Sequence, residues 1–199
     1  IRVHDVRDRS AAQDFAAELS EHGIAPDILV NNAGCASGLS TIHEGAVDDW
    51  EVMIDTNVKG LLYVTRAILP LMVERNEGHI INIGSIAGRW VYPLNNVYHA
   101  TKFAVYALNE AMNIDLVETN IRVSSVNPGA VETELSVVRF HGDKERAHKI
   151  YEGFTPLTAE DVADAICYVA NAPPHVNVFE IVMMGTDQRS GTVIHKVGV

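Results

Sequence analysis

Short apolar runs alternate along this chain with longer stretches in which apolar residues recur at every third or fourth position. The apolar runs predict five β-strands, over residues 1–6, 27–30, 79–83, 121–127 and 179–184. The periodic stretches predict four α-helices, over residues 10–22, 46–74, 96–118 and 158–171. Strands and helices that alternate at these lengths form a parallel sheet with helices on both faces. The pattern therefore predicts a doubly wound α/β fold.

Composition narrows the class of protein. With 199 residues, of which 47% are hydrophobic and 21% charged, the chain is long enough for a single domain with a substantial core. The net charge of −11 argues against a nucleic-acid partner, because phosphate binding needs clustered lysine and arginine. No apolar stretch approaches the roughly 20 residues of a membrane-spanning helix, so no membrane association is expected.

The cysteines and histidines give no sign of a disulfide or a metal site. Cys35 and Cys167 are far apart, and neither belongs to a Cys-x-x-Cys pair or a Cys/His cluster. The nine histidines show no spacing that is typical of zinc ligands. We therefore expect no metal, and free cysteines of this kind favour the reducing cytoplasm.

The pair Tyr98 and Lys102 suggests proton-transfer chemistry. Residues four apart share one face of a helix, so both side chains can point into one cleft. A nearby ammonium favours the phenolate, which lowers the tyrosine pKa from its usual value of about 10. Ser85 follows the apolar run 79–83, where its hydroxyl could hydrogen-bond the same substrate oxygen. These three residues are therefore the candidate catalytic set for reduction of a carbonyl group.

Further motifs accompany this set in a fixed order. They are Asp5-Val6, Asn31-Asn32-Ala33-Gly34, Asn57-Val58-x-Gly60 and Pro128-Gly129. With them the chain resembles the short-chain dehydrogenase/reductase family over residues 3–184, which implies a Rossmann-like fold. It is most similar to the NADP-dependent 3-hydroxy acid dehydrogenases, through the phrases 53–57, 78–85 and 138–140. The resemblance implies hydride transfer between NADP(H), with NAD as the alternative, and a small 3-hydroxy acid such as serine or allo-threonine.

The resemblance also implies roles for individual residues. Asn57 would hold a water that links Lys102 to solvent, which adds it to the catalytic set. Arg139 would pair with the substrate carboxylate, with Arg89 as the rival guanidinium. The chain would form a homotetramer or homodimer through its two long helices. The cofactor-binding residues would be Asp5, Val6, Asn32, Ala33, Gly34, Tyr98, Lys102, Pro128, Gly129, Val131 and Thr133.

Simpler interpretations stay open for several of these residues. The stretch 32–34 could be an ordinary turn, because Asn and Gly favour positive φ. Asp5 could cap the next loop, and Asn57 could make a structural hydrogen bond inside its helix. The stretch 128–133 could be a plain loop, and the polar segment 135–155 a solvated flap rather than a cover for the substrate.

A glycine-rich phosphate-binding turn is not found in the sequence, since none of the fourteen glycines lies in a Gly-x-Gly-x-x-Gly or P-loop setting. We therefore expect a domain over residues 1–199 that lacks the first β-α-β portion of the family fold. Two alternatives to the enzyme follow, a non-catalytic binding or scaffold relative and a fragment of a longer enzyme. Without its neighbouring strands, segment 1–6 should be displaced, paired abnormally or exchanged between subunits, and stability should be reduced.

Overall fold

Four parallel strands form the sheet of the computed structural model, which describes residues 1–198. Their order in the sheet follows the chain, β1-β2-β3-β4. The strands are β1 (Ile28–Asn31), β2 (Gly78–Ile83), β3 (Ile121–Pro128) and β4 (Glu180–Met183). The helices are α1 (Arg9–Glu21), α2 (Val47–Ile54), α3 (Leu61–Arg75), α4 (Asn96–Asp115), α5 (Leu135–Arg139), α6 (Lys144–Lys149) and α7 (Ala159–Ala170). The predicted doubly wound α/β class is confirmed.

Alternate residues of the strands face two different helical layers, as the period of two in a strand requires. Ile80 and Val123 are fully buried against the layer that contains α1, α3 and α4. Ile81 and Val126 are fully buried on the opposite face, against α7. Strands that are apolar on both faces explain why these segments read as continuous apolar runs in the sequence.

A row of buried amides connects β1 and β2 to α3 and α4. Asn31 Nδ2 donates to Thr65 Oγ1 and to Asn82 Oδ1, at 2.9 and 3.0 Å. Asn82 Nδ2 donates in turn to Asn109 Oδ1 at 3.0 Å. Buried amides are costly unless they are paired, so these bonds favour one register of β1 on β2 and one position of α4 above them.

Segment 1–6 does not form the strand that the sequence predicts. Residues 1–5 are not part of the sheet, and the side chains of Ile1 and Val3 are almost completely exposed. Arg2 is held instead by an ion pair with Glu18 on α1. The prediction of a strand is wrong, whereas the expected displacement from the sheet is observed. The outer edge of β1 has no strand beside it among residues 1–198.

Two other predicted segments differ in detail. The long helix over 46–74 is present as α2 and α3, joined by a π-helical turn at Asp55–Gly60. Pro70 lies inside α3. The segment 135–155, expected to be a long polar loop, contains the two short helices α5 and α6.

The described part of the chain contains no helix that is long and apolar enough to cross a membrane. It also contains no group of three or more His, Cys, Asp or Glu side chains that could hold a metal ion. Both cysteines are free; Cys35 is half-buried and Cys167 is exposed.

The buried His79 makes the stability of the fold depend on pH. It lies in β2, where its Nε2 is 2.8 Å from Ser124 Oγ and its Nδ1 has no partner among the described residues. Burial, and secondarily the charge of Arg122, lowers its pKa to about 4. In the unfolded chain a histidine titrates at about 6.5, so between these values the unfolded state binds more protons than the folded state.

We therefore predict that the free energy of unfolding falls as the pH decreases from about 6.5 to 4, by up to roughly 1.4 kcal/mol per pH unit from this group. His79→Gln, which cannot be protonated, should flatten the profile in that window. Urea unfolding at several pH values measures the effect. The exposed His175→Gln is the matched control, and an equal slope in the His79 variant and the control would contradict the prediction.

Candidate active site

The ends of the parallel strands meet at one edge of the sheet and open into a cavity of about 690 Å³. In open α/β sheets, ligands bind at this edge. Residues from five separate parts of the sequence converge there. The predicted site residues that line the cavity are Asn32, Gly34, Ser85, Tyr98, Lys102, Pro128, Gly129, Val131 and Thr133.

Tyr98 and Lys102 project into this cavity from successive turns of α4, and both are buried. The Lys102 Nζ lies 5.9 Å from the centre of the Tyr98 ring. It donates one hydrogen bond to the carbonyl oxygen of Ile83, at 3.0 Å. A lysine ammonium has three donors, and the other two have no acceptor among the described residues. The ammonium is thus fixed in place and still able to bind a ligand.

Ser85 follows β2 and begins a short 3₁₀ turn over Ile86–Gly88. Its Oγ accepts a hydrogen bond from the backbone N–H of Ala87, at 3.1 Å. Its hydroxyl has only a long contact of 3.5 Å, to the carbonyl oxygen of Pro128. Because that contact is weak, the hydroxyl hydrogen is available to an oxygen placed in the cavity.

Asn57 occupies the π-helical turn, which brings its amide against the loop after β1. The amide exchanges two hydrogen bonds of 2.8 Å with the backbone of Cys35 and donates a third to Thr101 Oγ1, at 3.0 Å. Asn57 therefore makes the structural hydrogen bonds that the sequence had left open as an alternative. A Cβ on Gly34 would lie 3.3 Å from Asn57 Oδ1 and 3.6 Å from Lys102 Nζ, so these two polar atoms approach the same point.

The two candidate arginines lie in different surroundings. The Arg139 guanidinium is 5.3 Å from the centre of the Tyr98 ring, and its Nε is buried without a partner among residues 1–198. Arg89 is engaged elsewhere, in an ion pair with Glu180 and over the ring of Tyr106. Of the two, only Arg139 lies beside the tyrosine.

Three predicted cofactor residues do not line the cavity. Asp5 is exposed, and its hydrogen bonds with Arg7 lower its pKa to about 2. Val6 and Ala33 line a separate small cavity of about 60 Å³ beside Leu61, which Asn32 also borders. The structure therefore does not bring Asp5, Val6 and Ala33 together with the catalytic candidates.

The structure adds residues that the sequence did not single out. Tyr92 and His99 stack edge to face, with ring centres 4.2 Å apart, and the backbone N–H of Tyr92 donates to His99 Nε2 at 3.3 Å. Burial raises the pKa of Tyr92 to about 12 and lowers that of His99. In the sequence, only the position of His99 next to Tyr98 could have pointed to this pair of residues. Part of the cavity wall comes from apolar residues of α5 and α7: Leu135, Val138, Ala159, Val162, Ala163 and Ile166.

Cys35 also lines the cavity. Its Sγ is 3.7 Å from the carbonyl oxygen of Val52, and burial raises the pKa of its thiol. A raised thiol pKa argues against a nucleophile. Packing remains the better account of this side chain.

Comparisons with known proteins show the family of this chain. The family model for short chain dehydrogenases matches residues 1–144. NADP-dependent 3-hydroxy acid dehydrogenase YdfG of Salmonella typhi is 50% identical over 194 residues, which are 96% of this chain and 78% of that protein. Sulfoacetaldehyde reductase 2 of Chromohalobacter salexigens is 44% identical over 193 residues, 94% of this chain and 77% of that protein.

Solved structures give the same result. The closed form of serine dehydrogenase complexed with NADP⁺ matches with a TM-score of 0.91 at 48% identity, over 97% of this chain and 79% of that one. Serine dehydrogenase from Escherichia coli matches with a TM-score of 0.79 at 44% identity, over 94% of this chain and 76% of that one. The chain belongs to the short chain dehydrogenase family and is therefore an oxidoreductase.

Proposed function

We propose that this oxidoreductase uses NADP(H) to interconvert the hydroxyl and carbonyl forms of a small 3-hydroxy acid. The observation that carries the proposal is the convergence of Ser85, Tyr98 and Lys102 on one cavity at the carboxyl edge of the sheet. The names of the relatives, NADP-dependent 3-hydroxy acid dehydrogenase and serine dehydrogenase, support the substrate class. The relatives are named as dehydrogenases and reductases, which gives the scaffold alternative no support.

The residues present fit a nicotinamide cofactor. Lys102 has donors to spare for ribose hydroxyls, and the N–H of Val131 has no partner among residues 1–198 although it belongs to the cavity wall. We assign Tyr98 and Lys102 to the nicotinamide ribose, and Val131 and Thr133 to the nicotinamide itself. The cofactor, when bound, supplies the reducing equivalent for the carbonyl carbon and accepts it in the reverse direction.

The protein supplies the proton and holds the substrate oxygen. Tyr98 donates its phenolic proton to that oxygen during reduction and recovers it during oxidation. The Lys102 ammonium lies 5.9 Å from the centre of the Tyr98 ring, where it holds the ribose beside the tyrosine. The Ser85 hydroxyl donates a hydrogen bond to the same oxygen as charge develops on it. Asn57 Oδ1 faces the same point as Lys102 Nζ, and we assign it the water that returns the proton.

Arg139 is the candidate partner of the substrate carboxylate. A buried guanidinium nitrogen without an acceptor is costly, and a carboxylate beside Tyr98 would satisfy it. The ring of Tyr98 would then lie next to both the reacting oxygen and the charged end of the substrate.

We propose a homotetramer or homodimer that assembles through α3 and α4, and a location in the cytoplasm. Leu62 and Val73 on α3, and Phe103 and Ile114 on α4, are exposed apolar residues. Each pair is eleven residues apart, which places its members on one side of a helix. Apolar patches of this kind mark interaction surfaces. The free cysteines support a reducing compartment.

Tyr98→Phe should lower kcat for reduction about 10²- to 10⁴-fold, because it removes the proton donor. The affinity for NADPH should change little, since the ring and Lys102 remain. Stopped-flow measurement of NADPH oxidation, together with a fluorescence titration, separates the two effects. The exposed Tyr168→Phe serves as the control. Near wild-type turnover in the Tyr98 variant would remove Tyr98 from the reaction.

Arg139→Met should raise KM for a 3-hydroxy acid roughly 10- to 100-fold, the effect of losing a charge-assisted hydrogen bond. It should have little effect on a substrate of the same length that lacks the carboxylate. Arg89→Met, which breaks the pair with Glu180, should reduce stability and leave KM nearly unchanged. A KM increase in the Arg89 variant alone would transfer the assignment to Arg89.

Phe103→Glu should dissociate the assembly, because it places a charge in an apolar contact. Sedimentation velocity of the wild type and the variant measures the change. Tyr168→Glu, at a more exposed position on α7, should leave the mass of the assembly unchanged. Dissociation by the Tyr168 variant but not by the Phe103 variant would place the interface on α7 instead.

A further inference from the structure

The backbone of the cavity loop, which we define as residues 128–133, is hydrogen-bonded to three other segments of the chain. The N–H of Gly129 donates to the carbonyl oxygen of Met183 at 2.8 Å. The N–H of Ala130 donates to Oε1 of the buried Gln188 at 2.9 Å, and its carbonyl accepts from Leu157 N, also at 2.9 Å. The end of β4, the side chain of Gln188 and the segment before α7 therefore fix this loop.

A further contact comes from the hydroxyl of Tyr151. This hydroxyl donates to the carbonyl oxygen of Val131 at 2.8 Å and lies 2.6 Å from Ser136 Oγ. A phenol has a single hydrogen to donate. Since that hydrogen goes to Val131, the Ser136 hydroxyl must donate to Tyr151. The result is a directed chain of two hydrogen bonds, from Ser136 through Tyr151 to the cavity loop.

These contacts join the two ends of the substrate segment, which we define as residues 134–151. Its first helix, α5, contributes Leu135 and Val138 to the cavity wall and places Arg139 beside Tyr98. Ser136 lies in the first turn of α5 and is almost fully buried, whereas Tyr151 lies just after α6. One hydroxyl thus closes the segment on itself and fastens it to the cavity loop.

We propose that Tyr151 is a positioning residue that couples the substrate segment to the cavity loop and so holds Arg139 at the substrate. The assignment rests on the proposed function for its kinetic part only. Loss of the hydroxyl would free the Val131 carbonyl and leave the buried Ser136 hydroxyl without its acceptor. Both the loop and the segment would then loosen, although the aromatic ring and its packing remain.

Hydrogen–deuterium exchange of the full chain, without cofactor or substrate, tests the coupling. In Tyr151→Phe, amide exchange should rise about 5- to 10-fold both in residues 129–133 and in residues 135–151, the size expected for a lost hydrogen bond. Ser136→Ala leaves the bond to Val131 in place, so it should raise exchange near residue 136 only. Adding Ser136→Ala to Tyr151→Phe should cause no further increase, because the two hydroxyls act as one unit.

Tyr168→Phe removes an exposed hydroxyl that has no partner in the described structure, and it is the matched control. Exchange in Tyr151→Phe equal to that control, or a rise confined to the segment with the loop unchanged, would overturn the coupling. This result does not depend on turnover, so it stands even if the chain proves inactive on 3-hydroxy acids.

Steady-state kinetics then tests the positioning of the substrate. Tyr151→Phe should raise KM for the 3-hydroxy acid about 5- to 10-fold and change kcat less than about 3-fold, since Tyr98 and Lys102 are untouched. A merely structural role would reduce the active fraction, and hence kcat, at constant KM. That pattern, or an unchanged KM together with raised exchange, would overturn the positioning role.

Discussion

The hydrogen bond from Lys102 Nζ to the carbonyl oxygen of Ile83 ties α4 to the last residue of β2, and the candidate site depends on it. With α4 held there, Tyr98 projects into the cavity from the helical turn before Lys102. Ser85 lies two residues after Ile83, the residue that accepts the hydrogen bond. Gly88 allows the close approach, since a Cβ at that position would lie 2.6 Å from the Lys102 carbonyl oxygen. One polar contact thus sets the relative positions of all three catalytic candidates.

Buried polar side chains hold the rest of the site around this contact. Asn57 clamps the loop after β1 to Thr101 on α4, and the amides of Asn31 and Asn82 join the strands below. Gln188 and Tyr151 do the same for the cavity loop from the opposite side. Hydrogen bonds are stronger where the surroundings are buried or partly buried, and each unmade bond there would be costly. The site is therefore preorganised by side chains that never need to touch a substrate.

The sequence predicted the parts of the fold whose signal is local. The buried strands and long helices are close to their predicted bounds, because apolar periodicity and strand-length runs report burial directly. Segment 1–6 was predicted as a strand from its alternating apolar residues, but it lies outside the sheet, as the expected lack of a paired neighbour implied. The π-helical turn that aims Asn57 at Cys35 was likewise invisible, because it arises from contacts between distant segments.

The candidate site shows the same division. Tyr98, Lys102 and Ser85 were found from spacing and chemistry, and the structure brings them to one cavity. Tyr151 and Gln188 were missed because they act on backbone groups twenty or more positions away, through one hydroxyl and one amide. The choice between Arg139 and Arg89 also needed three dimensions, since only the structure shows that Glu180 already occupies Arg89.

A fluorescence titration of NADPH into the purified chain and into Lys102→Ala is the most direct test of the cofactor site. We expect saturable micromolar binding that weakens at least about 10-fold in the variant, because ionic hydrogen bonds to the ribose are lost. Lys59→Ala, which removes an exposed ammonium paired with Asp55, should bind as the wild type does. No binding by the wild type, or equal binding by the Lys102 variant, would contradict the assignment of this cavity as the cofactor site.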